Sequence, residues 1–134
     1  MISLMKKVVV VTINYKQNDY TLKCIDSLLT SDYSDFEIIL IDNGPSEEDH
    51  QQLKAALPEN EKIKLHCLEN NIGYVGGVNY GLVESEKLNA DYVLIMNNDT
   101  YVDENSIREL AETCSDYEDM AIVTGKVFEY DNTN

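Results

Sequence analysis

Apolar and polar positions along the chain fall into blocks with two different periods. Val8-Val9-Val10-Val11-Thr12-Ile13 is a β-branched run with polar residues on both sides, the pattern of a strand buried on both faces. Asn18 or Asp19 then offers a helix N-cap, and Leu22, Ile25, Leu28 and Leu29 recur at helical spacing up to a turn at Ser31–Ser34. Phe36-Glu37-Ile38-Ile39-Leu40-Ile41 predicts a second buried strand, stopped by Asp42-Asn43-Gly44-Pro45. Ser46 followed by Glu47, Glu48 and Asp49 starts a helix, with acids where the helix dipole favours them. That helix carries Leu53, Ala56 and Leu57 and ends at Pro58.

The second half repeats the alternation. Ile63, Leu65 and Cys67 alternate with Lys64 and His66, which predicts a strand with one more exposed side. A turn at Glu69–Gly73 leads into a helix over Tyr74–Leu88, with Gly76, Gly77 and Gly81 on a close-packing face. Tyr92–Met96 reads as a fourth strand, closed by Asn97-Asn98-Asp99-Thr100. Asp103 is placed to cap a helix bearing Ile107, Leu110 and Ala111, and Met120–Val127 reads as a last strand. The sum is βαβαβαβαβ with short connections. Such a chain builds an α/β fold, a three-layer αβα sandwich around a mostly parallel sheet, because each right-handed crossover must cover a face of the sheet.

Composition narrows the function classes. At 134 residues the chain holds one domain. Ten Lys+Arg stand against 25 Asp+Glu, a formal net charge of -15, which repels polyanions and disfavours sequence-independent binding to nucleic acid or an anionic leaflet. No apolar run reaches the length of a transmembrane segment, and Val8–Ile13 meets Asn14-Tyr15 rather than a signal-peptide cleavage site. Three widely spaced cysteines (Cys24, Cys67, Cys114) read as reduced thiols, and His50 and His66 as incidental.

The informative polar residues lie just past the strands, where open parallel sheets bind ligands. Asn14-Tyr15, Asp42-Asn43-Gly44, Asn70-Asn71-Ile72-Gly73 and Asn97-Asn98-Asp99 occupy the four positions. None is a Walker or a GxGxxG turn, which argues against a P-loop NTPase and a standard NAD site. Asn, Asp and Gly are equally the residues of tight turns, so the residues alone support a polar ligand at this rim and no more.

Four blocks carry a resemblance. Val10–Tyr15, Phe36–Gly44, Asn71-Ile72-Gly73-Tyr74-Val75-Gly76-Gly77-Val78-Asn79-Tyr80-Gly81 and Tyr92–Thr100 are similar, in order and spacing, to family 2 glycosyltransferases with the GT-A fold. That is the Rossmann-like fold of nucleotide-diphospho-sugar transferases. The wording of the blocks resembles the rhamnosyltransferase-like branch that builds bacterial surface polysaccharides. The resemblance implies hexosyl transfer from a nucleotide-diphosphate sugar to a glycan acceptor, metal-assisted and inverting.

Carried over by residue, the resemblance implies a donor site of Ile13 (through its backbone), Tyr15, Asp42, Asn43, Gly73, Asn79 and Asn98. Tyr15 would wall the base and Asp42 with Asn43 would meet its edge, leaving dTDP- and UDP-linked donors both open. Asn98 would reach the ribose and Asn79 the sugar side. Asp99, with Asn97, would hold Mg²⁺ or Mn²⁺ on the diphosphate. Lys16, where this branch commonly has asparagine, would supply a cation near the nucleotide, while Glu104, Glu109 and Glu112 read as a solvated face. The carboxylate base and the acceptor contacts are expected beyond Asn134, so residues 1–134 read as the donor-binding half of a transferase, with little activity alone. The expected place is cytoplasmic, or peripheral at the inner face of the membrane for the full-length protein. Two other classes compete: a sugar nucleotidyltransferase, which wants a basic glycine-rich loop where Asn14–Asn18 stand, and an acidic receiver-type binding module, which wants a phosphoacceptor Asp where Glu69-Asn70 stand.

Overall fold

The computed structural model describes residues 5–117, 119 and 122–129. Four strands, β1 (Val8–Asn14), β2 (Phe36–Asn43), β3 (Ile63–Leu68) and β4 (Tyr92–Ile95), alternate with four helices, α1 (Asn18–Leu29), α2 (Glu47–Ala56), α3 (Gly73–Lys87) and α4 (Ser106–Asp116). All strand pairs are parallel, in the order β3-β2-β1-β4. β1 and β2 form the centre and are buried along almost their whole length, which is why their sequences are nearly unbroken apolar runs. Fully burying each such Val or Ile contributes about 1.5–3 kcal/mol relative to leaving it exposed.

Strand alternation divides the core in two. Val8, Val10, Ile38 and Leu40 pack under α1, α2 and α4 through Ile25, Leu28, Leu53 and Ile107. Val9, Val11, Ile39 and Ile41 face α3 and the chain after it through Val78, Tyr80 and Leu88. This is the three-layer αβα arrangement expected from the sequence. α3 sits low on the sheet because Gly77 and Gly81 lie against it: a Cβ on Gly81 would come within 2.3 Å of Val11 Cγ1. Gly76 instead faces Ile72, so two of the three early glycines form the packing face.

Several local expectations are corrected. Residues 122–129 add no strand to the sheet; Ile122–Gly125 share the lining of a groove of about 620 Å³ with β4 instead of bonding to it. Ile122, Val127 and Phe128 stay exposed, so an apolar run that lacks a partner backbone does not become a strand. Met120 and Ala121 of that expected strand lie outside the described residues. α1 opens at Asn18 with no side-chain cap, because the Asn18 amide is drawn into bonds with Asn14 and the Asp49 carbonyl. Asp103 does not cap α4 through its side chain; its carbonyl accepts from the Ser106 amide, and Asn105 holds the N-cap position. Ser46 does cap α2, its hydroxyl accepting from the Asp49 amide at 3.1 Å. Among the described residues no helix is long and apolar enough to cross a membrane.

Candidate active site

The topology decides where the polar strand ends meet. β1→α1→β2→α2→β3 runs outward on one side of β1, and α3 then returns over the opposite face to place β4 on the other side. The chain thus reverses direction between β1 and β4, and the crevice at their carboxyl ends is the place where such sheets take ligands. Tyr15 and Lys16 lie on one side of it and Asn97-Asn98-Asp99 on the other.

Beneath this rim runs a buried polar chain. Asn14 stands opposite Asp42 in the sheet register, so both side chains leave the same face, toward α1 and α2. Asn14 Nδ2 donates to Asp42 Oδ1 and to Asn18 Oδ1, both at 2.9 Å. Asn14 Oδ1 accepts from the Thr21 hydroxyl at 2.8 Å, and Thr21 Oγ1 accepts from Asn98 Nδ2 at 2.9 Å. At the far end, His50 Nδ1 lies 2.8 Å from Asp42 Oδ2 and, facing a carboxylate, carries the proton. His50, Asp42, Asn14, Thr21 and Asn98 therefore link α2, β2, β1, α1 and the loop after β4. Each satisfied buried bond adds about 1 kcal/mol, and a broken one costs more.

Asn43, one residue on, points the other way. Its amide donates to Asn71 Oδ1 (3.1 Å) and the Gly73 carbonyl (3.2 Å), and its Oδ1 accepts from the Ile72 amide (3.0 Å). Both amide hydrogens are thus committed to holding the turn that starts α3. Gly73 enters that turn at φ +76, and Gly44 at φ +69 packs so closely on Asn70-Asn71 that a Cβ would lie 2.1 Å from the Asn71 nitrogen.

The remaining site residues fall into distinct positions. Ile13 is buried against Gly77. Tyr15 is 45% exposed on the rim, with Lys16 Nζ 5.3 Å from its ring centre and Lys16 itself at φ +56, a left-handed conformation seldom adopted by lysine. Asn79 is exposed; Gly77, Gly81 and Ser85 mark the sheet side of α3, and Asn79, two residues from either glycine, lies about 200° round the helix on the far side. Asn97–Thr100 form a turn closed by the Thr100 amide on the Asn97 carbonyl at 3.2 Å. Asn98 points down into the buried chain, while Asn97 and Asp99 are exposed, and among the described residues neither side chain has a hydrogen-bond or ion-pair partner. An exposed carboxylate and an amide carbonyl at one turn are oxygen donors of the kind a hard divalent cation takes. The Asp99 charge also reaches the buried Cys24 thiol, which burial pushes up to about 12 against a downward pull from the Thr12 hydroxyl.

Three residues of the buried chain carry no site signal in the sequence. Asn14 is a strand end by pattern. His50 looks incidental by spacing, yet it is the partner of Asp42. Thr21 is a buried position of α1, whose inner face is Thr21, Cys24, Ile25 and Leu28. The 21/24/25/28 spacing was available in the sequence, with a hydroxyl in its first place.

Comparison with known proteins bears on the family and the fold. Residues 8–134 match the model of the family described as Glycosyl transferase family 2. Glycosyltransferase GlyG of Streptococcus pneumoniae serotype 4 is 27% identical over 120 residues, which is 90% of this chain and 38% of that protein. Among solved structures, S. aureus TarS is similar with a TM-score of 0.68 and 20% identity, over 92% of this chain and 38% of that one. A mannosyltransferase of Pyrobaculum calidifontis, PcManGT, solved in complex with GDP-Man and Mn2+, has a TM-score of 0.70 at 13% identity, covering 84% of this chain and 33% of that one. The present chain thus spans well under half the length of these relatives. With the GT-A-like fold, the polar rim and the match over residues 8–134 together, the chain belongs to glycosyl transferase family 2.

Proposed function

We propose that this chain binds the nucleoside-diphosphate part of a sugar donor in the crevice between β1 and β4, as the donor-binding part of a transferase that passes a hexosyl group to a glycan acceptor. The observation that carries the reading is the Asn97–Thr100 turn. Its Asp99 carboxylate is exposed and unpartnered among the described residues, while Asn98 anchors the same turn from below to Thr21 and Asn14. With Asn98 fixing the backbone of the turn, the position of Asp99 is set before the ligand arrives and only its side-chain rotamer remains to be ordered.

Asp99, helped by Asn97, would hold Mg²⁺ or Mn²⁺; that ion would neutralise charge on the departing diphosphate. The Mn2+ recorded with GDP-Man in PcManGT supports the choice of ion. A chain of net charge -15 needs help to hold a polyanion, from such a cation or from oriented backbone N–H groups. Tyr15 offers an exposed ring to the base, and the Ile13 backbone its hydrogen-bonding groups. Asp42, only 1% exposed with one oxygen on Asn14 and the other toward His50, acts from beneath by holding Asn14 rather than on the base edge. Asn43 and Gly73 shape the neighbouring turn, while Asn79, on the side of α3 away from the sheet, is left out of the crevice. The donor base we propose is uracil or thymine, in keeping with the likeness to the rhamnosyltransferase-like branch, with action at the cytoplasmic side of the membrane. We assign no general base among the described residues.

Isothermal titration with UDP, dTDP and GDP, each with and without Mn²⁺, tests the reading. Heat that requires both the metal and a pyrimidine nucleotide is expected, with Asp99→Ala weakening it at least tenfold. No metal-dependent heat with any nucleotide, or an Asp99→Ala variant that binds like the parent, would overturn it.

A further inference from the structure

A second cluster of ligating side chains lies away from Asp99, under the ends of β2 and β3. Cys67 stands opposite Asp42 in the β2–β3 register, so the two side chains leave the sheet on one face, and α2 lies over that face with His50 in its first turn. A carboxylate oxygen of Asp42, a ring nitrogen of His50 and Cys67 Sγ all lie within 4.8 Å of one another. We propose that Asp42, His50 and Cys67 form a binding site for a borderline-soft divalent cation of the Zn²⁺ class, separate from the hard-cation ligands at Asp99.

The donor set carries the assignment. One oxygen, one imidazole nitrogen and one thiolate suit zinc or cobalt, whereas magnesium and manganese prefer oxygen alone. Three protein ligands leave a fourth position, and it opens to solvent because Cys67 is exposed while Asp42 is only 1% exposed. The carboxylate is already oriented: Asn14 Nδ2 holds Oδ1 at 2.9 Å, which leaves Oδ2 toward His50. The local charge is right as well. The Asp42 and Glu47 carboxylates both act on Cys67, so the metal-free site is rich in negative charge. A cation entering there is bound by His50 through Nδ1, whose proton moves by way of solvent to Nε2 so that the ring stays neutral, and the Cys67 proton is displaced to solvent. The present 2.8 Å contact widens to about 3.3 Å, the separation set by two bonds near 2.0 Å in a tetrahedral site. β1 separates this cluster from β4 and Asp99, so the two cations occupy different places on the rim.

Anaerobic titration of the reduced chain with Co²⁺ tests the proposal. The expected result is a near-ultraviolet thiolate-to-cobalt band with intense visible bands of a four-coordinate ion, both bleached by added Zn²⁺. Cys67→Ser, at an exposed position, should abolish the thiolate band; Cys114→Ser should leave it intact. His50→Gln and Asp42→Asn should weaken the affinity at least tenfold. Absence of the thiolate band from the parent chain, or its survival in Cys67→Ser, would overturn the proposal. Mn²⁺ with nucleotide at Asp99 gives no thiolate band, so this outcome is independent of donor binding.

Discussion

Replacing Thr21 by valine isolates the buried polar chain from simple packing. Valine has nearly the shape of threonine and a similar helix propensity, so the fully buried position of Thr21 in α1 remains filled. What disappears is one hydroxyl that accepts from Asn98 Nδ2 at 2.9 Å and donates to Asn14 Oδ1 at 2.8 Å. Asn14 Oδ1 keeps only the Gln17 amide at 3.3 Å, and the Asn98 amide loses its acceptor in a buried setting. One orphaned donor and one half-satisfied acceptor, at about 1–3 kcal/mol for each unmade buried bond, predict a loss of about 2–4 kcal/mol. Thr21→Ser keeps both bonds and removes one methyl, so it should cost only about 1 kcal/mol. Urea unfolding followed by circular dichroism measures both, with the denaturant slope expected to stay constant. Because Asn98 anchors the turn that carries Asp99, Thr21→Val should also weaken metal-dependent nucleotide binding, and Thr21→Ser should not. A valine variant as stable as the parent, or more stable than the serine variant, would refute the reasoning.

Three further outcomes follow from other parts of the fold. Gly81→Ala gains about 1 kcal/mol of helix propensity, but its Cβ would sit 2.3 Å from Val11 Cγ1 on a central, fully buried strand; a net loss of about 1–3 kcal/mol is expected in urea unfolding. Unchanged stability would show that α3 can move off the sheet freely. Glu37 pairs with Lys7 at 2.5 Å and Lys64 at 3.4 Å; burial opposes its charge, but the two ammonium groups outweigh it and hold the carboxyl below the usual range. Its contribution is therefore complete above the ordinary carboxylate pKa and lost as pH falls through the lowered folded value. Glu37→Gln should cost about 0.5–1 kcal/mol at neutral pH, with the gap to the parent closing in acid; a gap that widens in acid would contradict this. At mildly alkaline pH a chromogenic disulfide should react with Cys67 and Cys114 in the native chain and with Cys24 only on unfolding, since burial pushes Cys24 to about 12. Rapid native reaction of all three would contradict the burial.

The sequence made some of this visible and hid the rest for physical reasons. Val8–Ile13 and Phe36–Ile41 were legible as strands because a strand buried on both faces has no choice but to be apolar throughout. Ser46 was legible as a cap because its geometry is local, three residues from its partner amide. The run from Met120 to Val127 has the same composition as a strand, but strand formation needs a neighbouring backbone, which local sequence does not specify. The rim residues past each strand were legible from topology alone. The bonds among them were not: Asn14 with Thr21, then His50, then Asn98 come from three separate stretches of the chain, and only the fold brings them into one line. Thr21 was hidden further because a helical stripe on Leu22, Ile25, Leu28 and Leu29 points slightly off the true inner face, which is centred on Cys24 and Ile25. Asn43 shows the reverse: its position at the rim suggests a ligand contact, while its amide is spent on the turn at Asn71–Gly73.

The central claim is that the Asp99 turn and the β1 end hold a divalent cation and a nucleoside diphosphate between them. Amide NMR spectra of the labelled chain with a pyrimidine nucleoside diphosphate and trace Mn²⁺ test it most directly. Paramagnetic broadening should be strongest at Asn97–Asp99, extend to Asn14–Lys16, and vanish in Asp99→Ala. Broadening centred on the acidic face of α4, or none beyond that caused by Mn²⁺ without nucleotide, would contradict the account.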